Sequence, residues 1–496
     1  MESPLPAETP RMAKTTPASS SRFPPQIPFI IGNEACERFS FYGMRNILMV
    51  FLMDYLLRNV NPDAAMREAM AKSHFHLFMS GVYFFPLFGG YLADRFLGKY
   101  RVIFWLSLLY CVGQFCLALF VENIYGFYTG LLLISLGSGG IKPCVSAMVG
   151  DQFTAENKHL VKKVFAIFYW SINLGSFFAS LFIPLALKNL GPAVAFGIPG
   201  VLMLIATVIY WAGRHHYVMV PPTGRNPHSF FRVVFSALGN QSQRTPGGGW
   251  LSAARARHPE EAIEGVRAVF RINLLLMPTI PFFWMLFDQK ASTWVVQAKA
   301  MDPHVGSFTF QPSQMQFINP ALVMILIPVL AAVVYPAFQR MGWELTPLRR
   351  MPLGLVIGAL SYVIAGYYQV LIEGHTVLNI SWQILPYIVL TVAEILVSTT
   401  GLEFAYTQAP REMKSVVQSL WLLNSTLANV AVAIAAALNI FKGSAQFFFY
   451  AGLAALAGIG MALMARRYTV RDYYQEAAPP IPVGERAAPD LSPKGA

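Results

Sequence analysis

From about residue 28 onward the chain alternates long apolar runs with short polar breaks. Runs of about 18 or more apolar residues can cross the roughly 30 Å hydrocarbon core of a bilayer as helices. Twelve such runs cover residues 28–57, 74–93, 102–121, 125–149, 162–187, 192–213, 272–298, 313–338, 351–372, 383–407, 413–440 and 444–465. Six precede a long polar stretch and six follow it. The pattern predicts an all-α membrane protein with twelve transmembrane helices in two six-helix bundles, over 26–213 and 271–466, joined by a cytoplasmic linker over 214–270. That linker holds seven Arg and one apolar patch around Phe230 to Leu238, too short to span, so an amphipathic helix on the inner membrane surface is expected there. The polar segments 1–25 and 467–496 are expected to be disordered cytoplasmic tails. The first has no apolar stretch ahead of a small-residue cleavage site, so it does not resemble a secretory leader.

Composition narrows the class. Of 496 residues 55% are hydrophobic and only 12% charged, about half the roughly 25% of a soluble chain, which excludes an ordinary soluble enzyme. The four Cys form no CxxC or Cys/His cluster, so no disulfide framework, metal or cofactor is expected. The net charge of +12 would suit nucleic acid if the basic residues formed one patch. Instead 27 of the 37 lie in the segments on one side of the predicted membrane and 6 in the opposite loops, with Arg38, Arg45, Lys142 and Lys290 inside spans. That excess is an orientation signal, placing both termini in the cytoplasm. The lipid bilayer is therefore the expected partner, and nucleic acid is not.

Charged groups inside a span cost at least about 2.5 kcal/mol each on insertion scales, so they persist where they face a cavity or one another. The first run holds Glu34, Glu37, Arg38 and Arg45 on a helical face about 100° wide, with Tyr42 at its edge. Glu34 and Arg38 are spaced for an intrahelical pair, and Arg45 lies about 16 Å further along the axis. A cluster that merely ties helices together is the plainer reading of these four groups, but four ionisable side chains exceed what packing needs. Other runs add His76, Lys142, Asp288, Lys290, Glu394 and Glu403, and the mid-span amides Asn173 and Asn319. His76 could be structural or a proton site, and the two amides could be packing contacts or substrate donors. Lys142 follows Gly137, Ser138, Gly139 and Gly140, which lack the phosphate-cradle spacing and suit close helix contact instead.

Several motifs together resemble one family. Residues Glu34 to Gly43 (EACERFSFYG) resemble the ExxERFxYYG signature of the proton-dependent oligopeptide transporters, a branch of the major facilitator superfamily. Gly90 to Arg101 is similar to that superfamily's loop between spans two and three, Phe168 to Ser176 (FYWSINLGS) resembles a second family signature, and Gly401 to Pro410 resembles the end of the tenth helix. The resemblance implies the major facilitator fold, here without the extra helix pair that bacterial members often insert between the halves. It implies proton-coupled import of di- and tripeptides by alternating access, in a monomer at the cell membrane. Arg45 and Lys142 would bind the peptide carboxylate, and Glu394, Asn173 and Asn319 its amino terminus. Tyr42, Tyr83, Trp294 and Trp421 would line side-chain pockets. Glu34, Glu37 and Arg38 would form the proton-coupling cluster, with Asp288 as a protonatable gate partner of Arg45 and His76 as a further proton site. Two positions depart from the family pattern: Phe41 replaces a Tyr, and Asp288 stands where many bacterial members have Glu.

The nearest alternative is the same fold carrying another small solute, such as nitrate. A channel would want rings of charge rather than scattered single residues. A membrane-embedded enzyme would want a nucleophile with its base or a metal set, and neither HExxH nor GxSxG occurs.

Overall fold

The structure, a computed structural model, describes residues 23–471 and 473, apart from 155, 223, 225, 246 and 247. Nearly all of the two expected tails therefore lies outside the described residues. Among the described residues, ten helices are long and apolar enough to cross a membrane: Ala64–Leu97, Lys99–Leu119, Ile124–Asp151, Val161–Leu190, Pro192–His215, Pro312–Arg340, Pro347–Glu373, Ile380–Thr407, Lys414–Ala437 and Gly443–Ala465. The helix Ile27–Phe51 precedes them, long enough to span but bearing four charged side chains. Between the sixth and eighth expected runs, Glu260–Leu276 and Ile280–Lys299 form a pair bent by 55°. We number these twelve segments as spans one to twelve in chain order.

The seventh span departs most from the expected 272–298. It starts at Glu260 because Glu260 to Arg271 is amphipathic, burying Ile263, Val266, Ala268 and Val269 while its acids and arginines face outward. Apolar length alone overlooks such a face. Pro278, which has no backbone N–H to continue the helical ladder and whose ring crowds the preceding turn, accounts for the bend. In the linker, Phe230–Gly239 is a ten-residue helix. It buries Phe230, Val233 and Ala237 and exposes Phe231, Phe235 and Leu238.

Two separate apolar cores form. One draws on buried side chains from Ile27 to Tyr217 together with Ala291 of span seven, the other on side chains from Phe230 to Met461. Within the first, span one packs on spans five and six, and span three on four and six; within the second, span nine packs on ten and twelve. The halves meet where span two lies along span eleven and span five along span eight. A Cβ at Gly89 would come 2.2 Å from the carbonyl oxygen of Gly139, so spans two and four touch backbone to backbone. That contact explains the glycines ahead of Lys142 as small residues permitting close approach. Gly98, at φ 78°, makes the reversal between spans two and three, where Lys99 pairs with Asp151 at 2.6 Å.

Candidate transport site between the two halves

Span one delivers its charges in two groups because eleven residues separate Glu34 from Arg45. At its start, Arg38 Nε lies 3.0 Å from Glu34 Oε1 and 2.5 Å from Glu37 Oε2, all three side chains being buried. These three side chains sit within one helix. Further along, buried Arg45 reaches into the other half of the molecule, donating to Asp288 Oδ1 of span seven at 2.9 Å. Asp288 Oδ2 accepts from Asn429 Nδ2 of span eleven at 2.7 Å. Asn429 Oδ1 lies 2.7 Å from His76 Nδ1 of span two, whose Nε2 lies 2.8 Å from Ser292 Oγ. Side chains from spans one, two, seven and eleven thus form one continuous polar chain through the middle of the protein.

Beside this chain lies a cavity of about 540 Å³ between the halves. Its walls include Tyr42, Arg45, Tyr83, Tyr169 and Asn173 from the first half, and Trp284, Phe287, Lys290, Asn319, Glu394, Glu403 and Tyr406 from the second. The chemistry is divided. Asn319 Nδ2 donates to Glu394 Oε2 at 2.7 Å and to Thr391 Oγ1 at 3.1 Å, so a carboxylate and an amide are held on one wall. Arg45 supplies a guanidinium on another. Lys142 stands just behind the lining, its Nζ 4.5 Å from the Tyr83 ring centroid and 4.7 Å from that of Phe41. Phe41, the departure from the family's Tyr, therefore still presents a ring face to a cation. Asn173 donates to the carbonyl of Tyr169 in its own helix at 2.9 Å.

Of the nine residues expected to bind substrate, Tyr42, Arg45, Tyr83, Asn173, Asn319 and Glu394 meet at this cavity and Lys142 adjoins it. Trp294 and Trp421 are placed outside the lining. Trp294 is buried, its ring edge-on to Tyr387 at 4.9 Å and tilted on Tyr362 at 5.6 Å. Trp421 fills the space beside Gly401, where a Cβ would lie 2.5 Å from its ring. An indole in an apolar span cannot be assigned to cavity or core from sequence, since both environments accept it. Of the proton-coupling candidates, Asp288 and His76 lie in the chain leading from Arg45, while Glu34, Glu37 and Arg38 form the separate group within span one.

Tyr169, Trp284, Lys290, Glu403 and Tyr406 line the cavity without having been assigned to it from sequence. The charge of Lys290 inside an apolar run was a usable signal. Glu403 was the harder case. Nine residues separate it from Glu394, which at 100° per residue puts the two about 180° apart. Span ten contains a π-helical turn over Ile395–Thr399. The wider turn delays the rotation by about one residue, roughly 100°, and lets both carboxylates face the same space.

Bonds between the halves gather around one end of the cavity. Lys299 Nζ pairs with both oxygens of Asp54 at 2.6 Å, Lys72 donates to Gln446 at 3.1 Å, and Gln316 donates to the carbonyl of Asn46 at 3.2 Å. Toward the opposite end, which carries the linker and the loop after span two, the walls are Tyr169, Leu402, exposed Glu403 and Tyr406.

Known proteins are similar to this chain in sequence and architecture. A family model described as the POT family matches residues 100–442. The chain belongs to the POT family. The family lies within the major facilitator superfamily, and the fold is that of an all-α membrane protein. The POT transporter PepTSo, solved by in meso crystallisation, is 47% identical and superposes with a TM-score of 0.85, covering 91% of this chain and 99% of that one. An auto-inhibited POT family peptide transporter is 46% identical, with a TM-score of 0.84 over 91% of this chain and 98% of its own. Peptide transporter 3 of Caenorhabditis elegans is 37% identical over 366 residues, 70% of this chain and 51% of that protein. The chain thus spans about half the length of the curated relatives it matches.

Proposed function

We propose that this POT family member is a secondary active transporter, a proton-coupled symporter that takes up di- and tripeptides by alternating access. The observation that carries the proposal is one cavity between two half-molecules with the Arg45 guanidinium on one wall, Lys142 close behind the lining, and the hydrogen-bonded carboxylate of Glu394 on another wall. A short peptide is a zwitterion whose two ends vary little while its side chains vary greatly. Arg45 and Lys142 suit its carboxylate, Glu394 with Asn319 and Asn173 suit its amino group, and Tyr42, Tyr83, Tyr169 and Trp284 leave adaptable aromatic surface for the rest. Nitrate would use the cations and leave Glu394 and Glu403 facing it, which disfavours that reading.

A zwitterion gains nothing from the membrane potential, so a co-transported proton supplies the drive: about 2.3 kcal/mol per charge per 100 mV and about 1.4 kcal/mol per pH unit. The proton enters where a carboxylate changes partner between states. Protonating Asp288 releases Arg45, and the bundles 26–213 and 271–466 then rock about the cavity. Glu34, Glu37 and Arg38 form a second protonatable cluster, and His76 extends the path from Asp288. With the basic excess facing the cytoplasm, both termini lie inside and the cross-half bonds face outside, so the conformation is inward-facing. The linker helix Phe230–Gly239 lies on the inner surface of the cell membrane with Phe231, Phe235 and Leu238 toward lipid. The working unit is a monomer.

The test is uptake of labelled dialanine into proteoliposomes, with an inward proton gradient and a negative interior. Accumulation that collapses with the gradient and is competed by tripeptides but not by nitrate is expected. Gradient-independent uptake, or competition by nitrate, would overturn the proposal.

A further inference from the structure

The acidic wall of the cavity already holds a cation. Lys290 Nζ donates to Asn319 Oδ1 at 2.6 Å, and the same amide donates to Glu394 Oε2 at 2.7 Å. Lysine, amide and carboxylate stand in a row across spans seven, eight and ten, with the ammonium 3.3 Å from the Phe287 ring centroid. Lys290 is only 4% exposed, yet it contributes to the cavity wall. Its neighbour Asp288 is engaged by Arg45 and Asn429.

We propose that Lys290 makes this cavity selective for peptides that carry an acidic side chain. The proposal rests on the peptide-transport reading of the same cavity. An incoming amino group that takes Glu394 and the Asn319 carbonyl oxygen removes the acceptor that Lys290 uses and the charge that balances it. A buried cation left without a partner is strongly unfavourable. A neutral dipeptide has no second anion to offer, because its one carboxylate is held by Arg45 and Lys142. The carboxylate of a Glu or Asp side chain supplies the missing partner, and a basic side chain adds a like charge. Acidic peptides are therefore favoured, neutral ones intermediate and basic ones disfavoured.

The experiment measures how well alanyl-glutamate, dialanine and alanyl-lysine compete for labelled dialanine uptake. It uses the wild-type chain, Lys290→Gln and Lys290→Arg in proteoliposomes. In the wild type alanyl-glutamate is expected to outcompete alanyl-lysine by about 10- to 100-fold, the size of one charge-assisted hydrogen bond. Lys290→Gln is expected to lose most of that ratio, alanyl-glutamate weakening and alanyl-lysine strengthening as competitors, and Lys290→Arg to keep it. A wild-type ratio near one overturns the assignment whatever the variants do, and so does an unchanged ratio in Lys290→Gln. Dialanine uptake by the wild type reports separately on the parent reading. If it is absent, peptide transport fails; if it is present while the ratio does not move, only the role of Lys290 fails.

Discussion

Two groups of buried charges sit in this protein about three helical turns apart and differ in what they connect. Glu34, Glu37 and Arg38 belong to one helix. Arg45, Asp288, Asn429, His76 and Ser292 come from both halves. Rocking two rigid halves against each other leaves distances inside a helix as they are and must break bonds between the halves. A proton can bias such a motion only if it binds the two states differently. The group spanning the halves meets that condition by its own geometry. The group within span one can meet it only through something that moves against it, such as a substrate carboxylate held at Lys142.

The largest effect should come from the bond that joins the halves at the cavity. Asp288→Asn removes the charge facing Arg45, so proton-driven accumulation of tens- to hundreds-fold, the range set by about 2 to 4 kcal/mol of driving force, should fall to equilibration. Exchange of labelled for unlabelled peptide should persist. Loss of both activities would make Asp288 a structural residue instead. Glu37→Gln sharpens the contrast, because Arg38 keeps Glu34 while the helix loses one protonatable group. We expect proton dependence to weaken, and uptake that remains fully proton-driven would strip the cluster of its coupling role. A smaller effect is expected at the end of the cavity away from the linker, where Asp54 and Lys299 are part-exposed. Asp54→Asn should change uptake by no more than about fivefold, in line with the roughly 0.2 to 1 kcal/mol of an exposed pair, and high salt should mask the difference. A tenfold change there would move the main gate from Arg45 to the Asp54–Lys299 pair.

The smallest effect lies outside the spans, in the linker. His228 Nδ1 is 3.0 Å from His258 Nδ1, which ties the start of the Phe230–Gly239 helix to the start of span seven. Burial, then the charges of His228, Arg257 and Arg232, hold His258 below the ordinary imidazole value of 6.5. The folded linker therefore binds that proton less well than the unfolded chain. Its contribution to stability is complete above the ordinary imidazole range and is lost as pH falls through that range and past the lower folded value. Amide exchange across 230–239, corrected for its intrinsic pH dependence, should lose protection between pH 7.5 and 5 in the wild type. In His258→Gln that change should be absent. Equal pH dependence in both chains would remove the histidine contact from the account.

Much of the fold was legible because its cues are local. Twelve apolar runs, the polar break between the sixth and seventh, and the one-sided distribution of Lys and Arg can each be read within a few tens of residues. The start of span seven was not, since Glu260 to Arg271 buries a stripe rather than a continuous run. In the cavity, the spans that carry Arg45, Asp288 and Glu394 could be recognised from the cost of charge in hydrocarbon. Lys290 was equally visible, but its link to Glu394 depends on an amide in a third helix. Trp294 and Trp421 carried no signal separating cavity from core.

What the sequence determined by itself is which segments are apolar enough to span and which of them carry charge. Hydrocarbon thickness and membrane potential act on each segment separately, and the composition of that segment answers them. The tertiary structure alone decided which charges meet. Arg45 and Asp288 are 243 residues apart and lie in different halves, and Glu403 shares a wall with Glu394 because one turn of span ten is wider than the rest. Such encounters depend on how packed helices are rotated and where they bend, which no periodicity along the chain records.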